Sequence, residues 1–398
     1  MICDNITSAN GHLRFAGRDT VELAERYGTP LYLMDEGRIR HNCRVYRENM
    51  DRLFPAALPL YASKALSCKR LYEIVAEEGL GADVVSPGEL YLARSAGFPM
   101  EKVFFHGNAK TDADIAFAMD CGVGYFIIDN PDELQAVERL AGERGIRQKA
   151  LLRLTPGIDP HTFEAVSTGQ VDSKFGIPIE TGQALSFVAR ALELPHVDVR
   201  GLHAHVGSQV FDSQVFDDTA DIMLRFLGEL REKLGYTAAV LNLGGGYGVR
   251  YTERDPVVDI AGELAHVADH IRRRCRELDL PIPAILMEPG RSIVADAGMT
   301  LYTVQSTKVI PGYRSYVSVD GGMTDNPRYA LYRSAYTVHL ANRMDEERDF
   351  VCTVGGRCCE SGDVIQEDVA LPAPRRGDVL AVCTTGAYNY SMASNYNP

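Results

Sequence analysis

At 398 residues the chain is longer than one average domain, and its 45% apolar and 24% charged residues are the mix of an ordinary globular protein. A formal charge of −13 argues against nucleic acid or an anionic membrane as the main partner, and no apolar run reaches membrane-spanning length. The N-terminus has neither the basic start nor the apolar stretch of a secretory leader. Nine cysteines without a CxxC pair read as reduced thiols of a cytoplasmic protein, most of them small core residues.

Residues 1–36 precede the first helical pattern and are expected to pack with a later β domain. Over 37–296, apolar runs alternate with amphipathic stretches. Eight strand candidates fall at 58–65, 81–86, 102–107, 125–129, 149–155, 199–207, 239–246 and 284–290. Between them lie helix starts such as Asn130-Pro-Asp-Glu-Leu, an Asn cap followed by Pro at the first helical position. Eight short strands alternating with helices predict an α/β fold, a closed (β/α)8 TIM-type barrel, with an open doubly wound sheet as the alternative. Beyond residue 296 the texture changes to strand-like runs at 302–309, 315–320, 350–354 and 379–383, broken by Gly, Pro and Asp. A mainly β second domain is expected over 297–398.

Taken in chain order, the chemistry-bearing groups sit at strand ends. Lys64, in Tyr61-Ala-Ser-Lys-Ala, ends the first strand, on the face where barrels carry their active sites. It is either a nucleophilic amine or an exposed lysine. His203 and His205 alternate at the sixth strand. They offer half of a metal site, a flat ring to stack on a cofactor, or core histidines; no further His cluster supports the metal, and none is expected. Ser208 adds a hydroxyl for an anion. Leu243-Gly-Gly-Gly-Tyr-Gly follows the seventh strand, where Gly244, Gly245 and Gly246 make either a phosphate cradle or a tight turn. Val249 stands where a dinucleotide fingerprint needs glycine. Glu288-Pro-Gly-Arg ends the eighth strand, and its carboxylate either partners a cofactor's ring nitrogen or caps the barrel in an ion pair. In the β domain Cys359, within Gly356-Arg-Cys-Cys-Glu-Ser-Gly-Asp, is either a proton donor, as thiols exchange protons readily, or a small buried residue.

The order of these motifs closely resembles that of the diaminopimelate decarboxylases, within the pyridoxal-phosphate barrel family that also holds ornithine and arginine decarboxylases and alanine racemase. The resemblance runs almost end to end. It includes Asp83-Val-Val-Ser-Pro-Gly-Glu-Leu, Phe105-His-Gly-Asn-Ala-Lys, Thr168-Gly-Gln-Val-Asp-Ser-Lys-Phe-Gly, His203-Ala-His-Val-Gly-Ser-Gln, Asp320-Gly-Gly-Met-Thr-Asp-Asn-Pro-Arg-Tyr-Ala-Leu-Tyr, Cys359-Glu-Ser-Gly-Asp and Gly386-Ala-Tyr.

The resemblance implies pyridoxal 5'-phosphate on Lys64, His205 stacked on its ring and Glu288 on the ring nitrogen. Ser208, Gly244, Gly245, Gly246, Gly290 and Arg291 hold the phosphate, with Asp83, Pro289 and Tyr388 also in contact with the cofactor. It further implies Arg291, Arg328 and Tyr332 on the substrate's distal carboxylate, Glu360 on its distal amine, Tyr388 against the substrate and Cys359 as proton donor. The implied activity is decarboxylation of meso-diaminopimelate to L-lysine by a homodimer with shared active sites.

Departures from the family pattern fall at Leu66 and Phe163. Relatives usually continue by a strand or two, so the last sheet edge is expected to be incomplete. The rival readings are a decarboxylase of arginine, ornithine or carboxynorspermidine, a non-catalytic cofactor carrier, and a barrel metallohydrolase.

Overall fold

A computed structural model describes residues 1–158, 170 and 172–397. Phe163, and Thr168, Gly169 and Val171 of the quoted motif, lie outside the described residues. The chain divides into two compact units, one of Arg40–Gly248 and Val258–Gly290, the other of Met1–Ile39, Val249–Val257 and Arg291–Pro398.

The first unit is the predicted barrel. Its strands are β1 (Ala57–Ala62), β2 (Gly81–Val84), β3 (Val103–Phe105), β4 (Tyr125–Ile128), β5 (Gln148–Thr155), β6 (Val197–His203), β7 (Val240–Asn242) and β8 (Ala284–Met287). All pair in parallel with their neighbours, and pairing of β8 with β1 closes the ring. Each sequence candidate lands on one of these strands. Leu60, Phe104, Ile127, Leu151, Val240 and Leu286 fill one layer of the interior. Beside Leu60 stands Gly81 and beside Val240 stands Gly201. A Cβ on Gly81 would lie 2.6 Å from the Leu60 side chain, and one on Gly201 would lie 1.8 Å from the Val240 carbonyl oxygen, so these strands carry glycine where the layer is full.

Local signals set the intervening helices. Helix Pro131–Arg144 starts on Asn130, whose side chain accepts from the Glu133 N–H, and ends on Gly145 in the left-handed region. Helix Asp112–Asp120 starts in a Thr111–Asp114 capping box.

The second unit is built on the long strand Gly298–Ile310, which pairs antiparallel with Arg314–Val319, with Val379–Cys383 and with the N-terminal strand Leu31–Met34. A register shift between Val304 and Ser306 bends it. Phe350–Gly355 joins Arg314–Val319 in parallel and Val364–Leu371 pairs antiparallel with it. Tyr302, Val317, Val354, Ile365 and Leu380 are among the buried residues of its core. All nine cysteines are free thiols, five of them buried. Among the described residues no helix is long and apolar enough to cross a membrane.

Candidate active site

The C-terminal ends of the barrel strands bring together most of the predicted cofactor residues. Lys64 lies in a short turn, Ser63–Ala65, directly after β1, and its side chain is exposed. That turn is fastened on both sides. Ser63 donates its hydroxyl to the Asp83 carbonyl oxygen (2.8 Å), and the Ala62 N–H donates to the Pro289 carbonyl (3.0 Å). A Cβ on Gly290 would meet Ala62 at 2.9 Å, so the Pro289-Gly290 backbone packs directly on the lysine turn.

Glu288, just past β8, is buried and meets polar side chains at the ends of three other strands. The Asn242 side-chain amide donates to Oε1 at 2.7 Å, and His203 Nε2 lies 3.2 Å from Oε2. His106 Nε2 lies 2.9 Å from Oε1 and 3.6 Å from an Asp83 carboxylate oxygen. Its N–H is not aligned for a hydrogen bond to either, so the contact is electrostatic. Burial alone would raise the Glu288 pKa, but His106 and His203 outweigh it and hold the carboxyl well below its ordinary range. Asp83 goes the other way: burial raises it, His106 opposes, and the Glu288 charge adds to the rise. The two carboxyls are thus pushed in opposite directions, Glu288 toward the anion and Asp83 toward the protonated form. Burial pushes His203 down to about 4 despite Glu288, leaving it neutral at pH 7.

Next to this floor, the three-glycine turn after β7 has no room for side chains on its inner face. A Cβ on Gly245 would lie 2.0 Å from the Glu288 carbonyl oxygen, and Gly244 and Gly246 have φ of +70° and +134°. The Gly244 N–H donates to Asn242 Oδ1 (2.9 Å), and the Gly245 N–H to His205 Nδ1 (3.3 Å). That bond makes His205 an acceptor at Nδ1, in keeping with a pKa driven well below the usual imidazole value by burial and by Lys64. Ser208 stands three residues on, partly exposed. An ionised buried carboxylate, a backbone turn stripped of Cβ atoms and an exposed lysine on one rim suit the pyridinium, phosphate and aldehyde ends of pyridoxal phosphate.

The β unit holds the predicted substrate residues in a cluster of its own. Arg291 and Arg328 are 5% and 6% exposed, and tyrosines line them. Arg291 donates to the Tyr251 hydroxyl at 2.7 Å and lies 4.7 Å from the Tyr388 ring centroid. Burial works against the Arg291 charge, but Tyr251 and Tyr388 more than offset it. The Arg328 guanidinium lies 5.4 Å from the Tyr332 ring and 5.6 Å from Tyr388, and donates to Ser334 at 3.3 Å. Among the described residues Arg328 Nε is buried without a hydrogen-bond partner. Tyr388 sits at φ +59°, a strained setting for a non-glycine residue.

Cys359 and Glu360 are exposed on the loop between Phe350–Gly355 and Val364–Leu371. Buried Asp363 shapes this loop, accepting from the Met323 and Cys358 N–H groups at 2.6 and 2.7 Å. The motif reading included His106 in Phe105-His-Gly-Asn-Ala-Lys without giving it a role, and left out Asn242 and Tyr251. His106 and Asn242 share a legible signal, a polar residue at the end of a barrel strand; Tyr251 carries none.

Comparison with known proteins agrees with this geometry. Residues 36–295 match the pyridoxal-dependent decarboxylase, pyridoxal binding domain family. The chain is 44% identical to the diaminopimelate decarboxylase of Bacillus methanolicus, over 97% of this chain and 90% of that one. It superposes with a TM-score of 0.91 on diaminopimelate decarboxylase from M. jannaschii in complex with L-lysine, at 35% identity over 99% of this chain and 90% of that chain. A lysine/ornithine decarboxylase from Vibrio vulnificus, complexed with putrescine, is more distant, with a TM-score of 0.80 and 26% identity over 95% of each chain.

Proposed function

This chain belongs to the diaminopimelate decarboxylases of the pyridoxal-dependent decarboxylase family, and we propose that it converts meso-diaminopimelate to L-lysine and carbon dioxide. The observation that carries the reading is the buried, ionised Glu288 on the same barrel rim as Lys64. When bound, pyridoxal phosphate supplies a ring that draws off the electrons left by departing carbon dioxide.

The chain's own residues do the rest. Lys64 would hold the cofactor through its amine and give way to the substrate amine. Glu288, as an anion, would keep the ring nitrogen protonated, and His205 would cover the ring's face. Asp83, Ser208, Pro289, Gly290, Arg291 and the glycines 244–246 complete the cofactor's seat. Arg291, Arg328 and Tyr332 bind the distal carboxylate, a task that suits the planar fork of arginine, while Glu360 takes the distal amine and Tyr388 orients the α-carbon. Cys359 delivers the proton that replaces the lost carboxyl.

We further infer a two-fold homodimer in which Cys359 and Glu360 serve the neighbouring chain's cofactor. Their exposure on a loop fixed by Asp363 supports this, since the loop is ordered for presentation and not for packing. Nine free thiols suit a cytoplasmic location.

The test is lysine formation from meso-diaminopimelate by purified protein loaded with pyridoxal phosphate, beside arginine, ornithine and carboxynorspermidine. Turnover of one of those three with none of diaminopimelate would reject the substrate assignment.

A further inference from the structure

Glu288 ends the eighth strand, but what surrounds it comes from elsewhere in the barrel. His106 follows β3, His203 closes β6 and Asn242 closes β7. A carboxylate enclosed this deeply favours its neutral, protonated form unless donors replace its lost water. Here the partners are in place: Asn242 donates at 2.7 Å to Oε1, His203 Nε2 lies 3.2 Å from Oε2, and His106 Nε2, 2.9 Å from Oε1, acts electrostatically. The two imidazoles meet edge to face, with centroids 4.9 Å apart. Among the described residues His203 Nδ1 is buried with no hydrogen-bond partner, which assigns its single proton to Nε2, facing the carboxylate. Asp83, Arg153, Lys64 and His205 also act on this group of side chains, and Glu89 and Tyr72 act on Asp83.

We propose that His106, His203 and Asn242 are positioning residues that hold Glu288 as the anion keeping the cofactor's ring nitrogen protonated. The proposal rests on the functional reading above. Remove a donor, and the enclosed carboxyl becomes the better base; the proton then moves from the ring nitrogen to Glu288, and the ring becomes a weaker electron sink. None of the three residues need touch the substrate, so substrate affinity should be spared.

The readout is the nitrogen-15 NMR signal of ring-labelled pyridoxal phosphate bound to the enzyme, with occupancy fixed beforehand by borohydride reduction and mapping to Lys64. In the wild type the signal should stay at the pyridinium position through the neutral range. In His106→Leu and His203→Leu the ring-nitrogen pKa should fall by about one to two pH units, the size expected for losing one donor to a charged acceptor. Over the same change kcat should drop roughly tenfold to a hundredfold while KM holds. His203→Gln, whose amide can donate in place of Nε2, should restore signal and kcat. Should the leucine variants not load cofactor, Asn242→Ala tests the same prediction at Oε1.

A pyridinium signal unchanged in every variant would overturn the proposal and leave the functional reading standing. Wild-type protein with no cofactor on Lys64 would overturn both. The ligand atoms of His106, His203 and Glu288 lie within 4.8 Å of one another. Stoichiometric metal in wild-type protein, lost in both leucine variants, would therefore assign the trio to metal binding and reject the proposal.

Discussion

Lys110 and Glu133 form a buried ion pair whose removal should show in stability before it shows in chemistry. Lys110 Nζ donates to Glu133 Oε1 at 2.6 Å, to the Gly107 carbonyl at 2.8 Å and to the Ile127 carbonyl at 2.9 Å, using all three of its protons. The other carboxylate oxygen, Oε2, accepts from the Asp129 N–H at 2.9 Å. Both side chains are almost wholly enclosed, at 2% and 3% exposure. Burial pushes Lys110 down and Glu133 up, so each charge persists only because the other is there. Lys110→Met removes one charge, leaves the other enclosed and strands two carbonyls. The cost should be about 3–5 kcal/mol, a large share of a typical total of about 5–15 kcal/mol. For a barrel of this size that is a fall of about 10 °C in apparent melting temperature. Lys110→Met with Glu133→Gln removes the orphaned charge while keeping an acceptor for Asp129. The double variant should recover at least about 2 kcal/mol relative to the sum of the two single variants. Circular-dichroism melts of wild type, both singles and the double close the cycle. A Lys110→Met melt within about 1 °C of wild type, or a double variant as damaged as the singles added together, would refute the argument.

Arg328→Lys should lower kcat/KM for diaminopimelate by roughly a hundredfold and leave the cofactor's absorbance unchanged, because a lysine cannot reproduce the guanidinium fork; unaltered kinetics would remove Arg328 from the substrate site. Mixing Lys64→Ala with Cys359→Ala chains, each nearly inactive alone, should restore roughly a quarter of wild-type activity if the sites are shared. An inactive mixture, with subunit exchange verified by mass, would place Cys359 in its own chain's site. Acid should weaken the fold through His203 and His339, pushed down by burial to about 4 and about 3. A depressed histidine binds more protons unfolded than folded, so its stability is intact above the usual imidazole pKa near 6.5 and lost as pH falls toward the folded value. For His203 alone this is on the order of 3 kcal/mol. A His203→Gln variant should show a flatter melting-temperature profile between about pH 6.5 and about pH 4, and an equally steep one would contradict the assignment.

The barrel was legible in the sequence because its strands are buried on both faces and read as continuous apolar runs. Their ends were less so. The sixth run, 199–207, continues as Ala-His-Val-Gly past the last ladder pair, so strand and active-site loop share one texture; the strand itself ends at His203. His203 and His205 then take different partners, Glu288 and the Gly245 N–H, which alternation along a strand does not foretell. The seventh run was drawn over eight residues, yet only Val240–Asn242 pairs, because the glycines that follow are turn, not strand. The roles of His106, which stands in a quoted motif, and of Asn242 were illegible for another reason. Their significance lies in converging on Glu288 from strands far apart in sequence, and only closure of the ring brings them there. Tyr251 is harder still, since 249–257 is too short to show a change of composition, although it clusters with the β unit.

Charge gives the last step. A chain of net charge −13 exerts little net long-range force on a substrate whose two carboxylates are balanced by two amines, and salt at cellular strength screens what remains beyond about 8 Å, so binding is settled by what lies within that distance. The β unit's cluster is built for this. Buried arginines ordinarily meet a carboxylate from the same fold, as Arg343 meets Asp378 at 3.3 Å. Around Arg328 the neighbours are instead the rings of Tyr251, Tyr332 and Tyr388, which favour a cation without neutralising it. Its Nε–H is left with no acceptor among the described residues. An enclosed guanidinium costs free energy until an anion reaches it, so the cost is borne by the empty fold and returned on binding. Replacing a lining tyrosine by an acid, as in Tyr332→Glu, would satisfy Arg328 internally. Stability would rise or hold, and affinity for the distal carboxylate would fall with it.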